Sequence, residues 1–208
     1  MKTNDELKFG LPGPGAVHLC IDMQRIFAEE TPWHTPWMRR ILPQVCEIAS
    51  RHAERTIFTR FVPVQKPGDA EGNWKRYYER WEEMTLEKLD PGYVELIEEL
   101  RLFTPPAQVL DKKVYSPWVG TGLHAQLQER QVDTLVVTGG ETEVCVIAAV
   151  AGAVDLGYRV ILVTDALCSS SDETHDAMLE IYANRFSMQI ETVTTEAILR
   201  AWDQPSRK

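Results

Sequence analysis

The chain has 208 residues, 44% hydrophobic and 25% charged, which suits one globular domain with a sizeable core and excludes a disordered chain. A formal net charge of −9 and a pI near 5.1 argue against nucleic acid and anionic membrane as partners. No apolar run is long enough to span a bilayer, and the four separate cysteines (20, 46, 145, 168) suggest neither a zinc knuckle nor a disulfide framework. The polar stretch Met1–Lys8 is not a signal peptide, so a cytoplasmic location is expected.

Residues 1–14 read as a loose arm that ends in the turn Leu11-Pro12-Gly13-Pro14-Gly15. A first strand, Ala16–Ile21, ends at Asp22, which reads equally as a site residue or as a cap; Gln24 follows. A loop over 27–37 carries Trp33, His34 and Trp37 between Pro32 and Pro36. A helix over 38–53 is started or interrupted by Pro43. The second strand is Thr56–Phe61. Residues 62–91 are then too long for a simple connection, and Trp74, Tyr77, Tyr78 and Trp81 crowd one segment of it. Aromatics at this density mark a pocket, a subunit contact or satellite core.

Pro91 opens a helix to Arg101, and Gln108–Lys112 is the third strand. After a loop, Gly120–Arg130 is helical. The glycine pattern at 120–125 lacks the strand a dinucleotide fingerprint needs directly before it. Thr134–Thr138, rich in β-branched residues, reads as a buried parallel strand. Gly139-Gly140 and the helix start Glu141-Thr142-Glu143 follow, and the helix stops at Gly157. Strand five is Arg159–Val163, ahead of Thr164-Asp165-Ala166. Asp172 caps a helix over 173–184, strand six is 187–193, and Thr194 caps Thr195–Trp202. The alternation implies a three-layer α/β/α domain over residues 1–208, around a mainly parallel six-stranded sheet.

Cys145 falls in the first turn of the helix after strand four. Ligand sites in open α/β sheets lie at the carboxyl ends of strands. A helix N-terminus also favours a thiolate and offers amides to an oxyanion. Cys145 is therefore a candidate nucleophile, with a buried core cysteine as the alternative. Cys168, on a serine-rich loop, lacks a cationic partner and a glycine turn. No Gly-x-Ser-x-Gly elbow occurs, and the five histidines show no paired metal-ligand spacing. His18 reads as a core residue.

The stretches Ile21-Asp22-Met23-Gln24, Lys112 to Thr121 and Gly139 to Val146 fall in one order. This combination resembles the isochorismatase-like cysteine hydrolase family, and the match runs from the first strand to about Thr195. The resemblance implies an Asp22–Lys112–Cys145 triad, in which Asp22 takes the thiol proton and Lys112 stabilises the charges. Family spacing sets the lysine four residues before Ser116, which selects Lys112 over Lys113. The resemblance also implies a cis peptide at Gly140–Glu141, and an oxyanion hole made by the amides of Glu141 and Cys145. Gly140 stands where the family prefers a bulkier apolar residue. Nicotinamidase members carry metal-binding histidines and an acid after strand two; here Arg60-Phe61-Val62-Pro63-Val64 stands there, so no metal or other cofactor is expected. Members that cleave the vinyl ether of isochorismate can lack the cysteine.

The expected activity is hydrolysis of a small amide, carbamoyl or ureido C–N bond through a thioester. An ether hydrolase of the isochorismatase type and a non-catalytic binding or assembly module are the alternatives. Gln24, Trp33, Trp37, Arg60, Trp74, Tyr77 and Trp118 are the expected pocket residues, with Arg60 as a polar anchor. A homo-oligomer, dimer or tetramer, is expected from the aromatic patches.

Overall fold

A computed structural model of the chain describes residues 6–203. Six strands form one sheet: β1 (Ala16–Ile21), β2 (Thr56–Phe61), β3 (Gln108–Lys112), β4 (Thr134–Gly140), β5 (Arg159–Cys168) and β6 (Ile190–Val193). Their order is β3-β2-β1-β4-β5-β6 and every pairing is parallel. The chain thus winds outward from β1 to one edge, then from β4 to the other. The reversal between β1 and β4 is where an open α/β sheet builds its crevice.

The helices are α1 (Arg25–Ala28), α2 (Met38–Arg51), α3 (Trp74–Arg80), α4 (Glu98–Arg101), α5 (Leu123–Glu129), α6 (Ile147–Asp155), α7 (Asp172–Arg185) and α8 (Thr195–Trp202). Alternate strand residues feed two cores, as the two-residue pleat requires. Cys20, Phe58, Val136 and Ile161 pack against α2, α4 and α8. Leu19, Ile57, Leu135, Val137 and Leu162 pack against α5, α6 and α7. The three-layer α/β/α architecture expected from the sequence is the observed one.

Several local expectations change. Residues 1–5 of the N-terminal arm lie outside the described residues. Its later part is tied to the sheet edge, where the Lys8 and Phe9 amides donate to Glu191 and Gly10 accepts from Arg159. Pro43 lies inside α2; the carbonyl it deprives belongs to Arg39, on the exposed side of the helix where water can serve it. The single helix expected over 91–101 is instead a 3-10 turn, Pro91–Val94, capped by Asp90, followed by α4. Between them Leu96 and Ile97 are drawn into the core, and the Ile97 amide donates to the Met23 carbonyl at 3.0 Å.

β4 runs on through Gly139 and Gly140, and β5 extends to Cys168. Their register shifts after Val137, so Gly139 pairs with Leu167 and Gly140 with Cys168. The displaced Asp165 accepts from the Thr195 amide at 2.8 Å at the start of α8. Ser171, not Asp172, caps α7. Strand β6 is shorter than expected and begins at Ile190.

Candidate active site

Three strands deliver the floor of the site. Asp22 follows β1, Lys112 ends β3, and Cys145 lies just beyond β4; β2 lies between β1 and β3. Asp22 has φ +50, a left-handed conformation that turns the chain sharply off the strand. Thr59 of β2 fixes it twice: the hydroxyl accepts from the Asp22 amide at 3.1 Å and donates to Oδ1 at 2.6 Å.

Lys112, the last residue of β3, is 1% exposed, whereas Lys113, just past the strand, is exposed. The buried ammonium touches three groups: Asp22 Oδ2 at 2.7 Å, the Val114 carbonyl at 3.1 Å and Cys145 Sγ at 3.6 Å. The contact with Oδ2 is an ion pair rather than a well-directed hydrogen bond. The ammonium also lies 5.2 Å from the centre of the Phe61 ring. Burial works against the charge on Lys112, yet Asp22 and then Cys145 outweigh it and raise its pKa.

The turn that carries Cys145 is a π-helical segment, Thr142–Val146, rather than the α-helical first turn expected. The Glu141 carbonyl takes the amides of Val144 and Val146, both at 3.0 Å, on either side of Cys145. Thr142 does not cap the helix. Its hydroxyl donates to the Cys168 carbonyl at 3.1 Å, and its own carbonyl accepts from Tyr182 at 3.2 Å. Glu143 accepts from Ser169 and Thr174. The wide turn is therefore held by β5 and α7, and single π turns recur at functional sites. The peptide bond between Gly140 and Glu141 is cis.

The helix-terminus argument favours a resting thiolate, and the site corrects it. Burial raises the Cys145 pKa well above the ordinary thiol value. Asp22 adds to the rise, and Lys112 offsets only part of it. Burial thus favours the thiol form, and an adjacent base is what makes the sulfur a nucleophile. Cys168, fully buried at the end of β5, is raised by burial as well.

Above Cys145 lies a cavity of about 360 Å³. Gly140, Glu141, Val144 and Ser170 line one side, and Phe27, Trp33, Phe61, Tyr77, Trp81 and Tyr115 supply an aromatic wall, completed by Pro32 and His34. Trp33 is the hub of the wall. Its ring lies 6.2 Å from Phe27, 5.8 Å from Phe61, 5.7 Å from Tyr77 and 6.4 Å from Trp81.

Of the expected pocket residues, Trp33 and Tyr77 line this cavity and the others do not. Gln24 is fully buried and clamps β2: its amide nitrogen donates to the Phe61 and Val94 carbonyls, and its oxygen accepts from the Phe61 amide. Arg60 points to the opposite face of β2 from Thr59 and Phe61, where it pairs with Asp111 at 2.7 Å and Glu95 at 2.9 Å. Trp37 packs on His175, with a ring separation of 5.5 Å. Trp74 stands behind the wall, against Tyr115 and Tyr77 at 4.8 and 5.2 Å. Trp118 lies on α6, where its indole donates to the Ala149 carbonyl at 2.8 Å over the bare backbone of Gly152.

Phe27, Phe61, Tyr115, Val144 and Ser170 were missed. For Phe61 a signal existed: it shares a strand face with Thr59 at the same carboxyl edge. His18 is buried between Thr56 at 3.1 Å and Thr138 at 2.8 Å, as a core residue. Among the described residues no group of three or more His, Cys, Asp and Glu could hold a metal ion, and no helix is long and apolar enough to cross a membrane.

The isochorismatase domain model matches residues 16–195. An uncharacterized isochorismatase family protein of Bacillus subtilis, YwoC, is 33% identical over 121 residues, which are 55% of this chain and 62% of that protein. The chain thus spans less than two thirds of that relative. A probable inactive nicotinamidase of Arabidopsis thaliana is 30% identical over 166 residues, 76% of this chain and 83% of that protein. Among solved structures, a cysteine hydrolase from Pseudomonas syringae pv. phaseolicola superposes with a TM-score of 0.78 at 24% identity, covering 94% of this chain and 98% of its own.

Proposed function

The chain belongs to the isochorismatase family, and we propose that it is a cysteine hydrolase that cleaves a small amide, carbamoyl or ureido C–N bond through a thioester on Cys145. The observation that carries this reading is the buried ammonium of Lys112, 2.7 Å from the Asp22 carboxylate and 3.6 Å from Cys145 Sγ, under an aromatic cavity.

Asp22 takes the thiol proton as Sγ attacks the substrate carbonyl carbon. The amides of Glu141 and Cys145 receive the oxygen that becomes negative. The C–N bond breaks, and the nitrogen leaves with the proton held by Asp22. Water then gives a proton to the same carboxylate and attacks the thioester, releasing the acid and the thiol. Lys112 stays charged throughout. It stabilises the developing thiolate and keeps Asp22 from becoming too strong a base to release its proton.

The aromatic wall suits a flat or apolar substrate body. The test is ammonia release from a panel of small amides and ureides, with mass spectrometry of the quenched enzyme. Turnover with an acyl adduct on Cys145, both absent in Cys145→Ala, is the expected result. Undiminished turnover by Cys145→Ala would overturn the mechanism.

A further inference from the structure

The chemistry at Cys145 requires a base, a nucleophile and an oxyanion hole. It does not require the charge pattern of the cavity above them. The lining contains one carboxylate, Glu141, and neither arginine nor lysine. Glu141 is held in place: its Oε1 accepts from the Ser170 amide at 2.9 Å and from the Thr35 hydroxyl at 3.3 Å. Among the described residues both bonds fall on Oε1, so Oε2 remains available to a ligand.

Below the cavity, Asp22 and Lys112 neutralise each other at 2.7 Å. Two carboxylates against one ammonium leave one negative charge in excess. The aromatic wall adds Trp33 and Tyr77, rings of the kind that attract cations. Two rings are already engaged by protein cations: Phe61 by Lys112 at 5.2 Å, and Trp81 on one face by Arg80 at 5.2 Å. Trp33 and Tyr77 have no such cation among the described residues.

A carboxylated substrate would be placed against Glu141 and the aromatic rings, with His34 but no arginine or lysine in the lining to receive it, which opposes its desolvation. A neutral substrate would cover Glu141 without giving it a counter-charge. A cation is favoured by both groups at once.

We propose that this cavity selects a cationic substrate: an amide or ureide whose end remote from the scissile bond bears a quaternary or protonated nitrogen, held between Glu141 and the Trp33–Tyr77 wall. The hydrolytic part rests on the reading above; the selection rests on the lining alone.

Three para-substituted benzamides test it: trimethylammonio and tert-butyl, which share one shape, and carboxylate as the anionic counterpart. Binding to Cys145→Ala protein, followed by tryptophan fluorescence at low salt, should favour the trimethylammonio compound over the tert-butyl compound by about tenfold or more, with the carboxylate weakest. Glu141→Gln should reduce that ratio several-fold, and Trp33→Leu should reduce it independently if Glu141→Gln fails to fold. Equal or tighter binding of the tert-butyl compound, binding of none of the three, or a ratio unmoved by both substitutions would overturn the proposal. Ammonia release by the wild-type protein separates the two readings. Selective binding without hydrolysis or acyl adduct supports the cation site and counts against the hydrolase. Hydrolysis with no preference for the cation does the reverse.

Discussion

Asp22, Lys112 and Cys145 reach the site from the ends of strands in one parallel sheet, whereas Trp33, Tyr77 and Trp81 reach it from a loop, a short helix and the residue that ends that helix. On the floor, strand register and alternation decide where a side chain points. Lys112 shares the inner face of β3 with Leu110 and is buried, while Lys113 lies past the strand end and is exposed. On the wall no period operates, and each ring goes where other rings leave room. Trp33 contacts four rings of the wall, while Trp118, equally plausible in sequence, packs on Tyr158 at 5.6 Å on the far layer. Floor residues should therefore fail through chemistry when changed, and wall residues through binding or stability.

The sharpest way to break that contrast is on the floor. Lys112→Met removes the ammonium between Asp22 and Cys145 and should lower kcat/KM by roughly a hundredfold or more, while Lys113→Met leaves it within about twofold. Circular dichroism confirms that both proteins fold. A large loss at 113 with a small one at 112 would dissociate the reaction from the buried ion pair.

The next effect separates two tryptophans. Trp118→Ala strips a packed indole from α6 and should cost about 3 kcal/mol of stability by urea denaturation, with KM little changed. Trp33→Ala should raise KM about tenfold instead, by opening the wall. A reversed pattern would assign Trp118 to the substrate and move the wall.

How far the site could be read in advance follows the same division. The apolar runs of β1, β2 and β4 and the position of Cys145 past β4 were legible, because strand burial and a glycine-marked turn leave local signals. That Asp22 and Lys112 meet was not legible from the residues themselves. They come from strands separated by β2, and strand order is a long-range property; only the family resemblance joined them. The choice of Arg60 as anchor ignored alternation, since Thr59 and Phe61 face the site and Arg60 cannot. The turn at 142–146 escaped notice because Tyr182 and Cys168 shape it from elsewhere in the sequence.

A smaller effect concerns the buried floor and pH. Burial pushes the His18 imidazole down to about 3, so the fold holds it neutral. The folded value lies below the unfolded value near 6.5, so its contribution is complete above about pH 6.5. It is lost as pH falls from there toward 3. On the order of 2 kcal/mol should be gone by pH 5. The check is the denaturation midpoint between pH 7 and 5, where His18→Gln should show a shallower decline than the wild type.

The smallest expected effect is Arg60→Met. Its partners Asp111 and Glu95 are solvent-facing ion pairs, and kcat/KM should stay within about twofold. A tenfold loss would return Arg60 to the substrate.

The contact between Gly140 and Cys168 constrains the order in which this turn can change. A Cβ built on Gly140 would lie 2.6 Å from Cys168 Sγ, with Met38 Cε next at 3.4 Å. Alanine at 140 would therefore crowd the Cys168 sulfur, and the two positions are coupled. Cys168→Gly removes the clash, so Gly140→Ala should be tolerated better in that background than alone. Residue 168, on a different strand, thereby limits which side chains the turn before Cys145 can accept.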